Sequence, residues 1–280
     1  MADMSIAHFG TTLIESAPPE GTDQATIPMT GDLARTHEFL TVLGAEIYIH
    51  NMYPGVGRQF IYRRGDIEDQ DYFEKDTFTS YTAVPVPSAD LPRVGETIFR
   101  LPHPEARRVA SELEAAALID CHSSLSDFTS GQTDRLFFTG PDGQQYELCE
   151  SQADQADNHR VYIWTDPSDL ENHIAGYLEH FDVTASSTED FYGQGSAHLL
   201  RRETPGITIA LVTPNDGELA PKHSFDIFQD AGYSHFRLAA PAKQPVLDAA
   251  IEAFPDGGGP VSYVHFQNSY LELVEIGAEV

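Results

Sequence analysis

Gly95-Glu96-Thr97-Ile98-Phe99-Arg100-Leu101 and Tyr233-Ser234-His235-Phe236-Arg237-Leu238 decide how this chain is built, because Phe-Arg-Leu recurs in them 137 residues apart. Asp32-Leu33 recurs as Asp169-Leu170 at the same spacing. Two matches on one offset, each beside a helical pattern, mark a duplicated unit. The 280 residues therefore read as two similar domains, each long enough to bury its own core.

Working outward from these stretches, the same order of elements appears on both sides. Residues 31–44 (GDLARTHEFLTVLG) put Leu33, Leu40 and Leu43 on one side of a helix, and Gly44 is a natural stop. In the second half Ser168 and Glu171 form a capping-box pattern, with Leu170, Ile174, Tyr177, Leu178 and Phe181 at helical spacing. Further helices are expected over residues 104–118, aligning Ala106, Val109, Ala110 and Leu113, and over 244–254, aligning Leu247, Ala250 and Ile251. Pro104 and Pro245 suit first-turn positions.

Each helix follows a β-type run, at residues 5–14, 95–101, 159–165 and 233–238. Further strands are expected at 45–50, 58–64, 135–140, 144–150, 197–202, 207–213, 261–266 and 269–276. Strand, helix, then several strands, four times over, reads as an α+β fold of mixed sheets. Helices cover one face of each sheet and the other face is free to form a cup. Ser151 to Asn158 is polar, acidic and free of large apolar residues, so it reads as a linker between domains at 1–152 and 158–280. Glu15–Thr26 looks like an insertion, and Gly65–Ser80 reads as irregular, either a lid or a mobile loop.

Forty-four acidic residues against sixteen basic ones give a formal charge of -28, a field that repels nucleic acid and anionic membranes. Such an acidic surface also suits a high-salt cytoplasm. Cys121 and Cys149 are too few for a disulfide framework and lack metal-type spacing. The opening residues carry no export signal and no apolar run reaches membrane-spanning length, so a soluble cytoplasmic protein is expected. No phosphate-binding glycine loop, GxSxG elbow or HExxH pair occurs, and Gly257-Gly258-Gly259 is a turn signal.

The fourfold βαβββ order, with the ending Gly140-Pro141-Asp142-Gly143-Gln144-Gln145-Tyr146-Glu147-Leu148, resembles the vicinal oxygen chelate superfamily of glyoxalases, bleomycin-resistance proteins and extradiol dioxygenases. The resemblance implies paired modules curled into cups, with metal ligands from the first strand of a module and a Glu on its last. Carried onto the second half, it implies His159, His235 and Glu272, a facial triad of the kind that holds Fe(II) with open positions. Strand alternation sends Phe236 and Leu238 to the helix side and Tyr233, His235 and Arg237 to the cup, and likewise separates Leu271 and Leu273 from Glu272. At His159 two parities stand open, since Val161 and Ile163 share its parity and Arg160 is the alternative cup residue.

In the first half His8 and Glu147 fall at ligand positions, but Ile98 stands where the second half has His235, which leaves that site incomplete. Tyr263 matches a substrate-binding tyrosine of the ring-cleaving relatives, and His223 and His265 are candidates for proton transfer. Tyr233 and Arg237 are candidate substrate contacts. Where those relatives carry a histidine pair this chain has Gly206 and Ile207. The resemblance thus implies a divalent-metal enzyme, of extradiol-dioxygenase type, acting on a small oxygenated aromatic, with a homodimer as the expected assembly. Two other readings stand beside it: a metal-free protein that sequesters an aromatic molecule, and a glyoxalase-like lyase or isomerase.

Overall fold

A computed structural model describes residues 9–13, 33–53, 57–64, 67–75, 92–141, 144–151, 160–181, 183–202, 208–216, 218–220, 232–238, 261–266 and 269–274. In chain order the elements are β1 (Phe9–Leu13), α1 (Leu33–Val42), β2 (Glu46–Tyr53), β3 (Gly57–Arg64), β4 (Ile67–Lys75), β5 (Thr97–His103), α2 (Ala106–Ala115), β6 (Asp120–Cys121), α3 (Leu125–Ser130), β7 (Arg135–Thr139) and β8 (Gln145–Glu150). There follow β9 (Arg160–Trp164), α4 (Leu170–His180), β10 (Val183–Phe191), β11 (Gly195–Arg202), β12 (Thr208–Pro214), β13 (Gly232–Leu238), β14 (Val261–Phe266) and β15 (Ser269–Val274).

The strands form two mixed sheets of the same plan. One runs β14-β15-β13-β1-β4-β3-β2 and the other β7-β8-β5-β9-β12-β11-β10, with β6 added beyond β7. Each sheet draws on both halves of the sequence. At the centre of one, β13 pairs antiparallel with β1; at the centre of the other, β5 pairs antiparallel with β9. The first module therefore joins the fourth and the second joins the third, so hydrogen bonding crosses the chain midpoint twice. The linker expected at 151–158 lies, after Ser151, outside the described residues.

Alternation within β5, β8 and β9 sorts the second sheet into two faces. Phe99, Leu101, Tyr146, Leu148, Val161 and Ile163 pack outward with Phe39 and Leu40 of α1, Ala106, Val109, Ala110 and Leu113 of α2, Phe128 of α3 and Tyr177 of α4. All four aligned residues of α2 are completely buried, as their spacing predicts. The opposite face carries Ile98, Phe137, Tyr162, Trp164, Phe191, Ala197, Leu199, Ala210 and Val212, to which no helix among the described residues contributes.

Several local expectations need correction. Residues 67–75, read as irregular, form β4 between β1 and β3; the segment is rich in acids, and its two ladder partners settle what its composition left open. Strand β10 and the six-residue helix α3 were also unexpected; Ser124 caps α3 by accepting from the Asp127 amide, and Gly131 closes it at φ 82°. The capping box at Ser168 is absent: the helix follows Asp169, and Asp166 instead accepts from both the amide and the hydroxyl of Ser168. Leu178, expected in the core stripe, is exposed. Gly44 does end α1, at φ 80°, a left-handed position that favours glycine. The helix expected at 244–254 lies outside the described residues. No helix among the described residues is long and apolar enough to cross a membrane.

Candidate functional site

Phe137 on β7 and Phe191 on β10 are six strand steps apart, about 29 Å on a flat sheet at about 4.8 Å per step. Their ring centroids are 6.0 Å apart. The sheet must therefore curl until its ends meet, and its inner face is a cup. Phe191 fills that cup: its ring lies 4.9 Å from Tyr162 and 5.6 Å from Trp164, in addition to Phe137.

Above this apolar plug sits a fully buried carboxylate, Glu147. Arg100, directly opposite on the parallel partner strand, donates from Nε to its Oε1. The Tyr162 hydroxyl donates to both carboxylate oxygens at 3.1 and 3.0 Å, and the Tyr192 hydroxyl donates to Oε2 at 3.0 Å. Tyr162 Oη in turn accepts from Arg100 Nη2 at 2.6 Å and Arg160 Nη1 at 3.2 Å, and Arg160 also pairs with Glu189. Burial pushes both phenols well above the ordinary tyrosine range, and the Glu147 charge adds to it, so they remain donors. With Tyr162 and Tyr192 donating to Glu147 and Ile98 standing beside it where a further ligand would be needed, this cup does not fit a metal. Among the described residues no group of three or more metal-ligating side chains occurs.

The other sheet repeats the ladder at its central rungs, up to a register shift between Gly10 and Thr11. Where β5 sets Ile98 opposite Tyr162, β13 sets His235 opposite Gly10. Where β9 sets Tyr162 opposite Ala210, β1 sets Gly10 opposite Asp71. Arg100 opposite Glu147 becomes Arg237 opposite Glu272, and Phe137 opposite Glu147 becomes Tyr263 opposite Glu272. The row that closes the first cup, Ala210-Tyr162-Ile98, thus reads Asp71-Gly10-His235 in the second. At the middle of the row Tyr162 is thus replaced by Gly10, flanked by two metal-ligating residue types, while Phe191, the last residue of β10, is matched by Tyr53, the last of β2.

No protein-family model and no curated protein sequence matches the chain. Solved structures do match. Glyoxalase I from Zea mays is 15% identical over 97% of this chain and 92% of its own, with a TM-score of 0.59. Two single-residue mutants of the same enzyme give 14% and 13% identity and TM-scores of 0.60 and 0.61, over 97% and 96% of this chain and 92% and 93% of theirs. The chain has the fold of glyoxalase I. At these identities the likeness carries architecture, and the site must be argued from its own residues.

Within this fold, His235 and Glu272 lie on neighbouring strands β13 and β15 of one sheet. Glu272 stands opposite Arg237, two residues beyond His235, which makes the pair diagonal neighbours on parallel strands. Tyr263 lies opposite Glu272, His265 opposite Tyr270, and Tyr233 opposite Thr11. His159, His8 and His223 lie outside the described residues. Strand β9, which His159 precedes, belongs to the other sheet, and of the two parities open there Val161 and Ile163 take the helix side. Arg160 is the residue whose side chain joins the inner network. Sequence reasoning missed Asp71, because β4 itself was missed, and missed the cage of Arg100, Tyr162 and Tyr192 around Glu147. The repeated Phe-Arg-Leu was the available signal, since each Arg stands opposite a Glu of its module's last strand.

Proposed function

We propose that the chain is a metal-dependent enzyme of the vicinal oxygen chelate type, working in the cup of β1, β4, β13 and β15. The observation that carries this reading is the ladder equivalence: at the positions where Tyr162 and Ile98 fill one cup, the other has Gly10 and His235. His235 and Glu272 are the proposed ligands, a neutral imidazole and a carboxylate, donors suited to a divalent first-row ion. His159 is left out of the set because the strand it precedes belongs to the filled cup. A metal held there would supply Lewis-acid polarisation of a substrate oxygen. Tyr263, opposite Glu272, is the proposed hydrogen-bond partner of a substrate oxygen, and His265 on the same strand the proposed proton carrier.

For the substrate we propose a small oxygenated aromatic and extradiol-type cleavage with Fe(II), supported by the histidine-carboxylate pair together with Tyr263. A lyase or isomerase reaction is the second reading, favoured by the full-length likeness to glyoxalase I. Metal analysis of the purified protein, beside His235→Ala and Glu272→Ala, tests the common part. One ion per chain, lost in both variants, is expected. No stoichiometric metal in the parent protein overturns the enzyme reading and leaves a binding protein. Oxygen uptake with a catechol panel, against hemithioacetal isomerisation without oxygen consumption, then separates the two chemistries.

A further inference from the structure

The mouth of the filled cup carries more hydrogen-bond donors than acceptors. Arg135, on β7, is 28% exposed and stacks on Tyr192 with its Cζ 5.2 Å from the ring centroid, and Tyr192 stacks on Phe137 at 5.5 Å. Rigid aromatic support fixes the guanidinium plane. Its nearest acceptors are Asp134 at 3.6 Å, Glu147 at 3.7 Å and Glu189 at 3.8 Å, all beyond hydrogen-bond length. Among the described residues no group accepts a hydrogen bond from it. Arg160, only 6% exposed, spends Nη1 on Glu189 and Tyr162, while its Nε is buried with no partner among the described residues. Both guanidinium groups converge on the same oxygen, Glu189 Oε1.

A buried N–H donor such as Arg160 Nε is costly unless something completes it. Glu147 cannot, since Arg100, Tyr162 and Tyr192 already occupy it. Asp134 is almost wholly exposed and Glu189 about one-third exposed, so each competes only from the rim. A planar carboxylate matches the unfilled fork of Arg135 in shape and charge. Tyr192 backs the guanidinium and Phe137 backs Tyr192, which favours a small anion or the acidic end of a larger one. We infer that the rim of the filled cup is a second, metal-independent seat for a small carboxylate, gripped by Arg135 beside Arg160.

The test titrates acetate and oxalate into the full chain at constant ionic strength, with chloride as the balancing anion and a chelator present, following binding by calorimetry and by the melting temperature. Saturable binding of either carboxylate above chloride is expected. Arg135→Ala should weaken it by about tenfold or more, and Arg135→Lys by less, because a point charge replaces a fork. Glu189→Gln, which removes the competing rim carboxylate, should tighten it. His235→Ala should leave it unchanged, which separates this seat from the proposed metal cup. Absence of saturable binding, equal response to chloride, or parent-like binding by Arg135→Ala overturns the proposal.

Discussion

Replacing Arg100 by methionine tests whether the guanidinium holds the filled cup together. Glu147 is completely buried, so the variant leaves its carboxyl group with two phenol donors at 3.0–3.1 Å and Arg135 at 3.7 Å. Removing one partner of a buried ion pair costs about 3–5 kcal/mol, and the surviving donors argue for the lower end, about 3 kcal/mol. For a chain of this size that is a fall of about 6–12 °C in melting temperature. Glu147→Gln alone should cost somewhat less, since Arg100 keeps its 2.6 Å bond to Tyr162. The double variant should lie closer to the parent than either sum predicts, because it removes the burial penalties of both charges while the glutamine oxygen still accepts from the tyrosines. Differential scanning calorimetry on all four proteins reads this directly. A loss below about 1 kcal/mol for Arg100→Met, or strictly additive costs, would refute the assignment of the pair as the keystone of the cup.

Three further outcomes are expected. Burial lifts the Glu96 carboxyl from its ordinary 4.5 to about 7, against the pull of the Arg93 amide and charge, and its Oε1 is buried without a hydrogen-bond partner. An acid raised on folding binds its proton more tightly in the native state, so stability should decline as pH rises from 4.5 through 7, by a ceiling of about 3 kcal/mol. Glu96→Gln should flatten that decline in denaturation curves across the interval, and an unchanged slope would assign it to other groups. Gly10→Tyr places in the second cup the residue type that plugs the first, so metal content should fall while far-ultraviolet circular dichroism stays the same; retained metal would show the two ladders are not equivalent. Residues 1–152 and 158–280 expressed apart should each lack a cooperative melt and regain one on mixing, because both sheets need strands from both pieces. Independent melting of either half would contradict that.

Much of the architecture was legible because it rests on local signals. The α2 stripe of Ala106, Val109, Ala110 and Leu113 and the Gly44 stop follow from helical spacing and left-handed geometry. Module pairing was not legible. A strand run such as YSHFRL bears the same alternation whether its central neighbour is β9 or β1, and only long-range register distinguishes them. The same blindness explains the site. His235 and Glu272 could be chosen by residue type and parity, but Asp71 lies on a strand whose acidic run resembled a loop. The inner position of Arg160 needed β9 to be seen packing Val161 and Ile163 against the helices. Glu147, a ligand candidate by position, proved to be satisfied by its own arginine, which no spacing in one strand reveals.

The nesting of one sheet inside the other has a consequence for biosynthesis. Strands β5 to β12 are consecutive, so their cup can be completed while the ribosome is still at work, whereas β1 must await β13 before its own cup exists. Until the last quarter of the polypeptide emerges, the edge of β1 that β13 will cover is exposed to misplaced strands, and slow decoding downstream of β12 would lengthen that interval.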